Sequence, residues 1–115
     1  MPLHTFTPLI PSHALSHVGD PEIWLKLDAL QPCGSFKLRG IGHACETLAR
    51  QGKRRFVASP GGNAGIAVAY AGRQLSIPVT VVVPQTTTEH ARALIRAQGA
   101  ELIGHGNVHV YGRRR

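Results

Sequence analysis

Two short segments contain the residues with the clearest capacity for chemistry in this sequence. The first, residues 34–40, places Lys37 directly after Phe36 and two residues after Ser35. A lysine amine in its neutral form can make a Schiff base with a carbonyl compound, which lets an enzyme hold a carbonyl-bearing cofactor or substrate. By position alone, a solvated lysine near the start of a helix is the more frequent case, so Lys37 needs a second signal.

The second segment, residues 59–65, contains Gly61 and Gly62 followed by Asn63 and Ala64. Glycines before a helix let backbone N–H groups approach a ligand, and the helix N-terminus adds partial positive charge, so the segment suits a phosphate or a carboxylate. A dinucleotide-binding fingerprint fits badly, because the two glycines are adjacent and no acid stands roughly twenty residues further on. A tight turn without a ligand is the alternative interpretation of these glycines.

The elements around both segments are predicted to alternate between strands and helices, from apolar alternation, β-branched runs and helical spacing. Ser35 is expected to cap the first helix, and Gly52 and Gly99 are expected to end the first and the third. The predicted order is a strand at 22–28, a helix before Gly52, a buried strand at 56–58, a helix from 63, a strand at 79–83, a helix at 91–98 and a strand from 101. Right-handed crossovers then give an α/β fold, an open parallel sheet with flanking helices, in which ligands bind at the carboxyl ends of the strands.

The chain is expected to comprise three parts. Residues 1–20 contain prolines, histidines and serines without periodicity and are interpreted as an N-terminal arm. Residues 21–106 form the α/β domain that carries Lys37, and residues 107–115 are predicted to be a disordered basic tail. With 115 residues, the chain is long enough for one domain but not for two.

Composition and charge argue against several classes of protein. No apolar run approaches the length of a membrane span, and the N-terminus lacks the layout of a signal peptide, so we expect a cytoplasmic protein without a membrane partner. The formal net charge is +7, but six of the basic residues fall in two clusters, 53–55 and 113–115, without interleaved aromatic residues. Solvated charge is therefore favoured over nucleic-acid binding.

The cysteines and histidines do not predict a metal site. Cys33 and Cys45 lack the spacing of a zinc or redox motif, so reduced thiols are expected, with Cys45 in the core. His13 and His17 are four residues apart, but the prolines, serines and glycine around them argue against the helix that such a pair would need. No metal is therefore expected.

A resemblance to a known family connects the two segments. Residues 24–28 and 31–40 resemble the cofactor-lysine signature of the serine/threonine dehydratase family, a branch of the fold-type II pyridoxal-phosphate enzymes. Residues 59–65 resemble the asparagine loop of the same family, and residues 41–43 are most similar to the L-serine dehydratases. The resemblance covers about residues 3–106, and it is specific because two separated motifs and the order of elements agree.

The resemblance implies a role for each residue of the two segments. Lys37 would hold pyridoxal phosphate as a Schiff base and, once the substrate amine displaces it, take the α-proton. Phe36 would lie against one face of the cofactor ring, Asn63 would hydrogen-bond the ring hydroxyl oxygen, and Ser35 is assigned to capping or to contacts beside the cofactor. The substrate carboxylate would be held by Pro60, Gly61, Gly62, Asn63 and Ala64. The implied activity is that of an L-serine ammonia-lyase, which produces pyruvate and ammonia by β-elimination.

The sequence departs from the family pattern in two ways. Pro60 stands where many relatives have a serine whose hydroxyl and N–H help to bind the carboxylate, and proline supplies neither group. The chain also lacks the later glycine-rich phosphate cup and the serine or cysteine that bonds the pyridine nitrogen. We therefore expect a truncated form with little activity alone, completed by a missing C-terminal portion or by a second copy in a homodimer.

Two alternative functions remain. Another fold-type II activity, such as threonine dehydration, racemisation or β-replacement, would use Lys37 and Asn63 equally, and its substrate would also be a small amino acid. A domain that binds a partner chain without catalysis would explain the missing phosphate cup.

Overall fold

The computed structural model describes residues 1–59 and 61–105, so Pro60 and the tail from 107 lie outside the described residues. In chain order the elements are β1 (Leu9–Pro11), β2 (Trp24–Lys26), a 3-10 helix (Asp28–Leu30), α1 (Lys37–Arg50), β3 (Phe56–Ala58), α2 (Gly62–Leu75), β4 (Val79–Val83), α3 (Glu89–Ala97) and β5 (Glu101–Gly104). The predicted α/β fold is confirmed, with strands and helices alternating from β3 to β5.

Three strands form a parallel sheet in the order β3-β4-β5. The central strand, β4, is entirely β-branched, and Val81 is fully buried within it, as expected for a strand covered on both faces. Within residues 1–59 and 61–105, β3 lies at the edge of this sheet and pairs with β4 alone. Successive side chains of a strand point to opposite faces of the sheet, so Phe56 is buried in the core while Val57 is 67% exposed on the other face. The prediction of a buried strand at 56–58 therefore holds for Phe56 and is wrong for Val57.

The first predicted strand does not join the parallel sheet. β2 instead pairs with β1 in an antiparallel ribbon, in which Leu9 lies opposite Lys26 and Pro11 lies opposite Trp24. Residues 1–20, which were predicted to form an arm, thus contribute strand β1, and Thr7 among them is buried. A strand of three residues that ends in proline is too short to show a period of two, which is why the pattern did not reveal the pairing.

The helices bury different shares of their surfaces. α1 is amphipathic and buries Leu38, Gly42 and Cys45, whereas α2, rich in alanine and glycine, buries six residues and lies in the centre of the fold. α2 contacts α1, α3 and the strands β3 and β4. A nearly all-apolar helix is expected to be buried on most of its surface, and α2 confirms that prediction.

The ends of the helices agree only in part with those predicted from the sequence. Gly52 and Gly99, just beyond α1 and α3, adopt φ angles of +87° and +84°, in the left-handed region that favours glycine. The predicted cap at Ser35 is wrong, because α1 begins at Lys37 with Phe36 as its N-cap residue and with no side-chain hydrogen bond at that end. The hydroxyl of Ser35 makes no hydrogen bond to the backbone N–H groups of the first turn, so Ser35 does not cap the helix.

A hydrophobic core joins the helices to the sheet. Its buried members are Cys45, Phe56, Ile66, Ala69, Ala71, Val79, Val81, Val83 and Ile95. Cys45 lies in this core as predicted, and both Cys33 and Cys45 are free thiols. α2 approaches the sheet most closely at Gly72, where an added Cβ would lie 2.1 Å from Cγ2 of Val79.

Candidate active site

Lys37 and Asn63 lie at the N-termini of two helices that pack against each other. α2 follows β3, so Asn63 lies at the carboxyl end of the parallel sheet. Residues 51–55 join the end of α1 to the start of β3, so the N-terminus of α1 points toward that same edge. Open α/β sheets bind their ligands at this edge, and both segments singled out from the sequence belong to it.

The side chain of Lys37 is exposed at the first residue of α1. Its Nζ lies 5.5 Å from the centroid of the Phe36 ring, which is itself exposed. The following residue, Leu38, is fully buried and anchors the first turn of α1 in the core. An accessible amine beside an open aromatic face suits a flat, carbonyl-bearing ligand, which could stack on the ring. The catalytic role of Lys37 and the cofactor-binding role of Phe36 stay predictions.

Ser35 carries an unusual hydroxyl. Of the buried side-chain nitrogen and oxygen atoms in residues 1–59 and 61–105, its Oγ is the one without a hydrogen-bond partner. The residue is only 8% exposed, and a buried hydroxyl left unpaired costs free energy. Because Ser35 does not cap α1, its hydroxyl is available to a polar group bound beside Lys37.

The N-terminus of α2 forms the second half of the site. Gly61 is the N-cap residue with an extended backbone, and its carbonyl oxygen accepts a hydrogen bond from the N–H of Gly65 at 3.1 Å. The N–H groups of the first turn, including those of Gly62, Asn63 and Ala64, have no partner within a helix. A Cβ added at Gly62 would meet nothing within 4 Å, so this surface is open to an anion. The substrate-binding roles of these residues, and the cofactor-binding role of Asn63, stay predictions.

A polar group that the sequence analysis missed holds the start of α1. The carboxylate of Asp28 accepts hydrogen bonds from Arg39 Nε at 2.7 Å, from Arg39 Nη2 at 3.0 Å and from Thr7 Oγ1 at 2.6 Å. These bonds, above all those from Arg39, hold the pKa of Asp28 well below its usual range, and the carboxylate raises the pKa of Arg39. An acid and an arginine eleven residues apart carry no spacing signal, because the turn that brings them together is not periodic.

Two cavities lie away from the N-termini of α1 and α2. One, of about 480 Å³, is lined by residues that include Arg73 and Ser76 near the amino end of β4, and another, of about 400 Å³, lies between α1 and β3 and includes Leu48 and Val57. Neither lining includes Lys37, which lies on an open surface. Within the described ranges, no cluster of three or more His, Cys, Asp or Glu side chains could hold a metal ion. None of the helices in those ranges has the length and apolar character needed to cross a bilayer.

Comparison with known proteins decides the family. The model of a family described as pyridoxal-phosphate dependent enzyme matches residues 1–113. The chain belongs to this family. The resemblance predicted from the two segments is thereby confirmed, and the cofactor of the family is pyridoxal phosphate.

Individual relatives are similar over most of this chain. A human serine dehydratase-like protein is 49% identical over 107 residues, which are 93% of this chain and 32% of the relative. A mouse L-serine dehydratase/L-threonine deaminase is 51% identical over 104 residues, 89% of this chain and 32% of the relative. The crystal structure of a fungal L-serine ammonia-lyase from Rhizomucor miehei superposes with a TM-score of 0.83 at 36% identity, covering 92% of this chain and 34% of that one. The chain thus spans about a third of the length of the curated relatives it matches.

The residues at the carboxyl edge of the sheet fit pyridoxal phosphate. Lys37 offers an accessible amine for the aldehyde, and Phe36 offers an exposed face for the ring. The unpartnered Oγ of Ser35 is a hydrogen-bonding group for the polar substituents of the cofactor. Asn63, exposed in the first turn of α2, adds an amide.

Proposed function

We propose that this chain is part of an L-serine ammonia-lyase that converts L-serine to pyruvate and ammonia, and that it works in the cytoplasm. The observation that carries the proposal is the accessible side chain of Lys37, two residues after Ser35 with its buried, unpartnered hydroxyl. Its context supports it, because relatives described as serine dehydratases are about half identical over this region.

Lys37 is proposed to act twice. Its Nζ first holds the cofactor, and after the substrate amine has taken its place, the freed Nζ takes the proton from the α-carbon of serine. Pyridoxal phosphate, when bound, supplies the electron sink that makes this proton removable. Loss of the α-proton and the β-hydroxyl removes water, and hydrolysis of the resulting enamine takes up water to give pyruvate and ammonia. Phe36 is proposed to lie against the cofactor ring, and Asn63 to orient it.

The start of α2 is proposed to bind the substrate carboxylate. The N–H groups of Gly62, Asn63 and Ala64 converge at a positive helix terminus, and Gly61 keeps the approach free of side chains. Pro60 has no N–H to donate, so the carboxylate would depend on the groups that follow it. This difference bears on the preference between serine and threonine, whereas the role of Lys37 is common to both.

We further propose that the activity needs additional polypeptide. The chain spans about a third of the length of its relatives, and the β1–β2 ribbon exposes Leu9, Ile10, Trp24 and Leu25. Exposed apolar groups of this kind are suited to contact with a C-terminal portion or with a second copy. That partner would supply the remaining contacts to the cofactor phosphate, so the chain alone is expected to show little turnover.

The first experiment adds pyridoxal phosphate to the purified chain and records the visible spectrum, followed by borohydride reduction and peptide mass spectrometry. We expect a visible band and a reduced cofactor on Lys37, both absent in Lys37→Ala. Lys53→Ala, which removes an exposed lysine from the linker between α1 and β3, is the matched control and should keep both signals. Labelling spread over several lysines, unchanged in Lys37→Ala, would contradict the proposed role of Lys37.

The second experiment concerns the substrate. A preparation with a Lys37-dependent band, with or without the missing portion supplied separately, is incubated with L-serine or L-threonine. Pyruvate from serine in excess of 2-oxobutanoate from threonine is the expected result. Formation of D-serine or of a β-substituted product without any keto acid would favour another fold-type II activity.

A further inference from the structure

The polar group around Asp28 joins three parts of the chain that are distant in sequence. Asp28 lies in the 3-10 helix, Thr7 lies in the N-terminal segment, and Arg39 lies in the first turn of α1. Arg39 binds both carboxylate oxygens, with Nε on Oδ2 and Nη2 on Oδ1, and Nη2 also donates to Thr7 Oγ1 at 3.3 Å. Gln31 donates from Nε2 to Oδ1 at 3.2 Å, so every element of the group converges on one carboxylate.

This group lies at the helix end that carries the reactive lysine. Arg39 comes two residues after Lys37 in the same turn, and no side chain caps α1 at that end. Leu38 fixes the turn from the apolar side, while the Asp28–Arg39 pair fixes it from the polar side. Contacts on both sides restrain the first turn, and with it the backbone of Lys37.

The pair also differs from an ordinary surface ion pair. The side chains of Arg39 and Asp28 are 36% and 11% exposed, and the guanidinium makes two parallel hydrogen bonds to the carboxylate. The pair between Arg96 and Glu89 has a single bond of 3.2 Å between side chains that are 54% and 78% exposed. A bidentate, partly buried pair constrains geometry, whereas an exposed single bond constrains little.

We propose that Asp28, Arg39 and Thr7 form a clamp on the first turn of α1 that positions the amine of Lys37. They are positioning residues, since they act through the backbone of that turn. The inference rests on the proposed function for its meaning, but the clamp itself is testable without a cofactor.

The test compares amide hydrogen exchange in the full chain and in Arg39→Gln. Loss of the clamp should accelerate exchange at residues 40–42 about tenfold, the change expected when a charged hydrogen bond is lost, and leave residues 48–50 of the same helix unchanged. Arg39→Lys keeps the positive charge but cannot make the two parallel hydrogen bonds of the guanidinium, so its residues 40–42 should exchange more slowly than in Arg39→Gln but faster than in the wild type. Arg96→Gln is the matched control and should change neither region. A uniform acceleration of exchange along α1 would mean that Arg39 has a general structural role, and no acceleration would mean that it has none. Either result would overturn the clamp.

Two further measurements keep the outcome decisive. If Arg39→Gln does not fold, Thr7→Val removes the two hydrogen bonds of the Thr7 hydroxyl, to Asp28 and from Arg39, but leaves the Arg39–Asp28 pair in place, and should accelerate exchange at residues 40–42 about threefold. With pyridoxal phosphate added, the wild-type band should show visible circular dichroism from a fixed cofactor, and Arg39→Gln should lose most of it at equal labelling of Lys37. A wild type without a Lys37-dependent band counts against the proposed function, while the exchange data still decide the clamp. Full circular dichroism in Arg39→Gln would refute the positioning of Lys37.

Discussion

Replacing Gly72 by alanine tests how closely α2 must approach the sheet for the site to form. A Cβ at this position would lie 2.1 Å from Cγ2 of Val79 and 2.8 Å from the carbonyl oxygen of Ile77. Ordinary carbon contacts begin near ~3.5 Å, so Val79 would have to retreat by about 1.4 Å. Val79 cannot do so freely, because it is buried and pairs with Phe56 across the sheet.

The magnitude follows from two opposing terms. Overpacking a tight core costs ~1–3 kcal/mol, and the contact with a backbone oxygen places Gly72→Ala near the upper limit. Alanine gains ~1 kcal/mol over glycine inside a helix, which offsets part of that cost. We therefore expect a net loss of about 2 kcal/mol, which corresponds to a fall in Tm of roughly 8–15 °C for a domain of this size.

Thermal and urea denaturation, followed by far-ultraviolet circular dichroism, measure this effect. Gly40→Ala is the matched control, because Gly40 lies inside α1 with nothing within 4 Å of an added Cβ. That variant should be more stable than the wild type by ~0.5–1 kcal/mol, through helix propensity alone. If both variants shift Tm in the same direction and by the same amount, the close approach of α2 to β4 is not what limits position 72.

Three further predictions concern single side chains. The pKa of Asp28 is depressed in the folded state, so its stabilising effect is fully present above the unfolded pKa of ~3.9 and is lost progressively as the pH falls from there through the lower folded pKa. Asp28→Asn should therefore lower the urea midpoint at pH 6, and this deficit should shrink steadily between pH 4 and pH 2; a deficit that stays constant over that range would contradict this. Burial raises the pKa of the Cys45 thiol, whereas Cys33 is only partly buried. A thiol reagent should therefore label Cys33 well before Cys45, as measured by peptide mass spectrometry, and equal labelling rates would contradict the burial of Cys45. Ile95 is fully buried in the core, so Ile95→Ala should cost ~2–5 kcal/mol in urea denaturation, and a cost below ~1 kcal/mol would mean that α3 is not packed as described.

The packing of α2 on the sheet, which Gly72→Ala perturbs, bears directly on function. α2 carries Asn63 at one end and Gly72 near the other, so the depth at which it packs on β4 sets the position of the turn that is proposed to bind the carboxylate. α1 is seated against α2 and carries Lys37. The packing of α1 against α2 therefore holds the two halves of the candidate site in their relative position.

The parts of the fold that were predictable have strong local patterns. Val79–Val83 is a continuous β-branched strand, and the alanine-rich run of α2 has no polar side, so both could be identified without tertiary information. Gly52 and Gly99 were recognisable as helix ends because the left-handed conformation that follows a helix favours glycine. The family was recognisable from residues 31–40 and 59–65, since each motif is short, specific and at the expected distance from the other.

Local sequence, by itself, thus determined the order of most elements, the two loops with chemical capacity and the family to which the chain belongs. The tertiary structure alone decided that β2 pairs with β1 and not with the parallel sheet, and that β3 lies at an edge where Val57 is exposed. It also decided that Asp28 meets Arg39 and Thr7, and that the Ser35 hydroxyl is buried without a partner. The physical reason is the same in each case. Periodicity and turn chemistry report on neighbours along the chain, whereas strand pairing, burial and charge pairing depend on residues that folding brings together from distant positions.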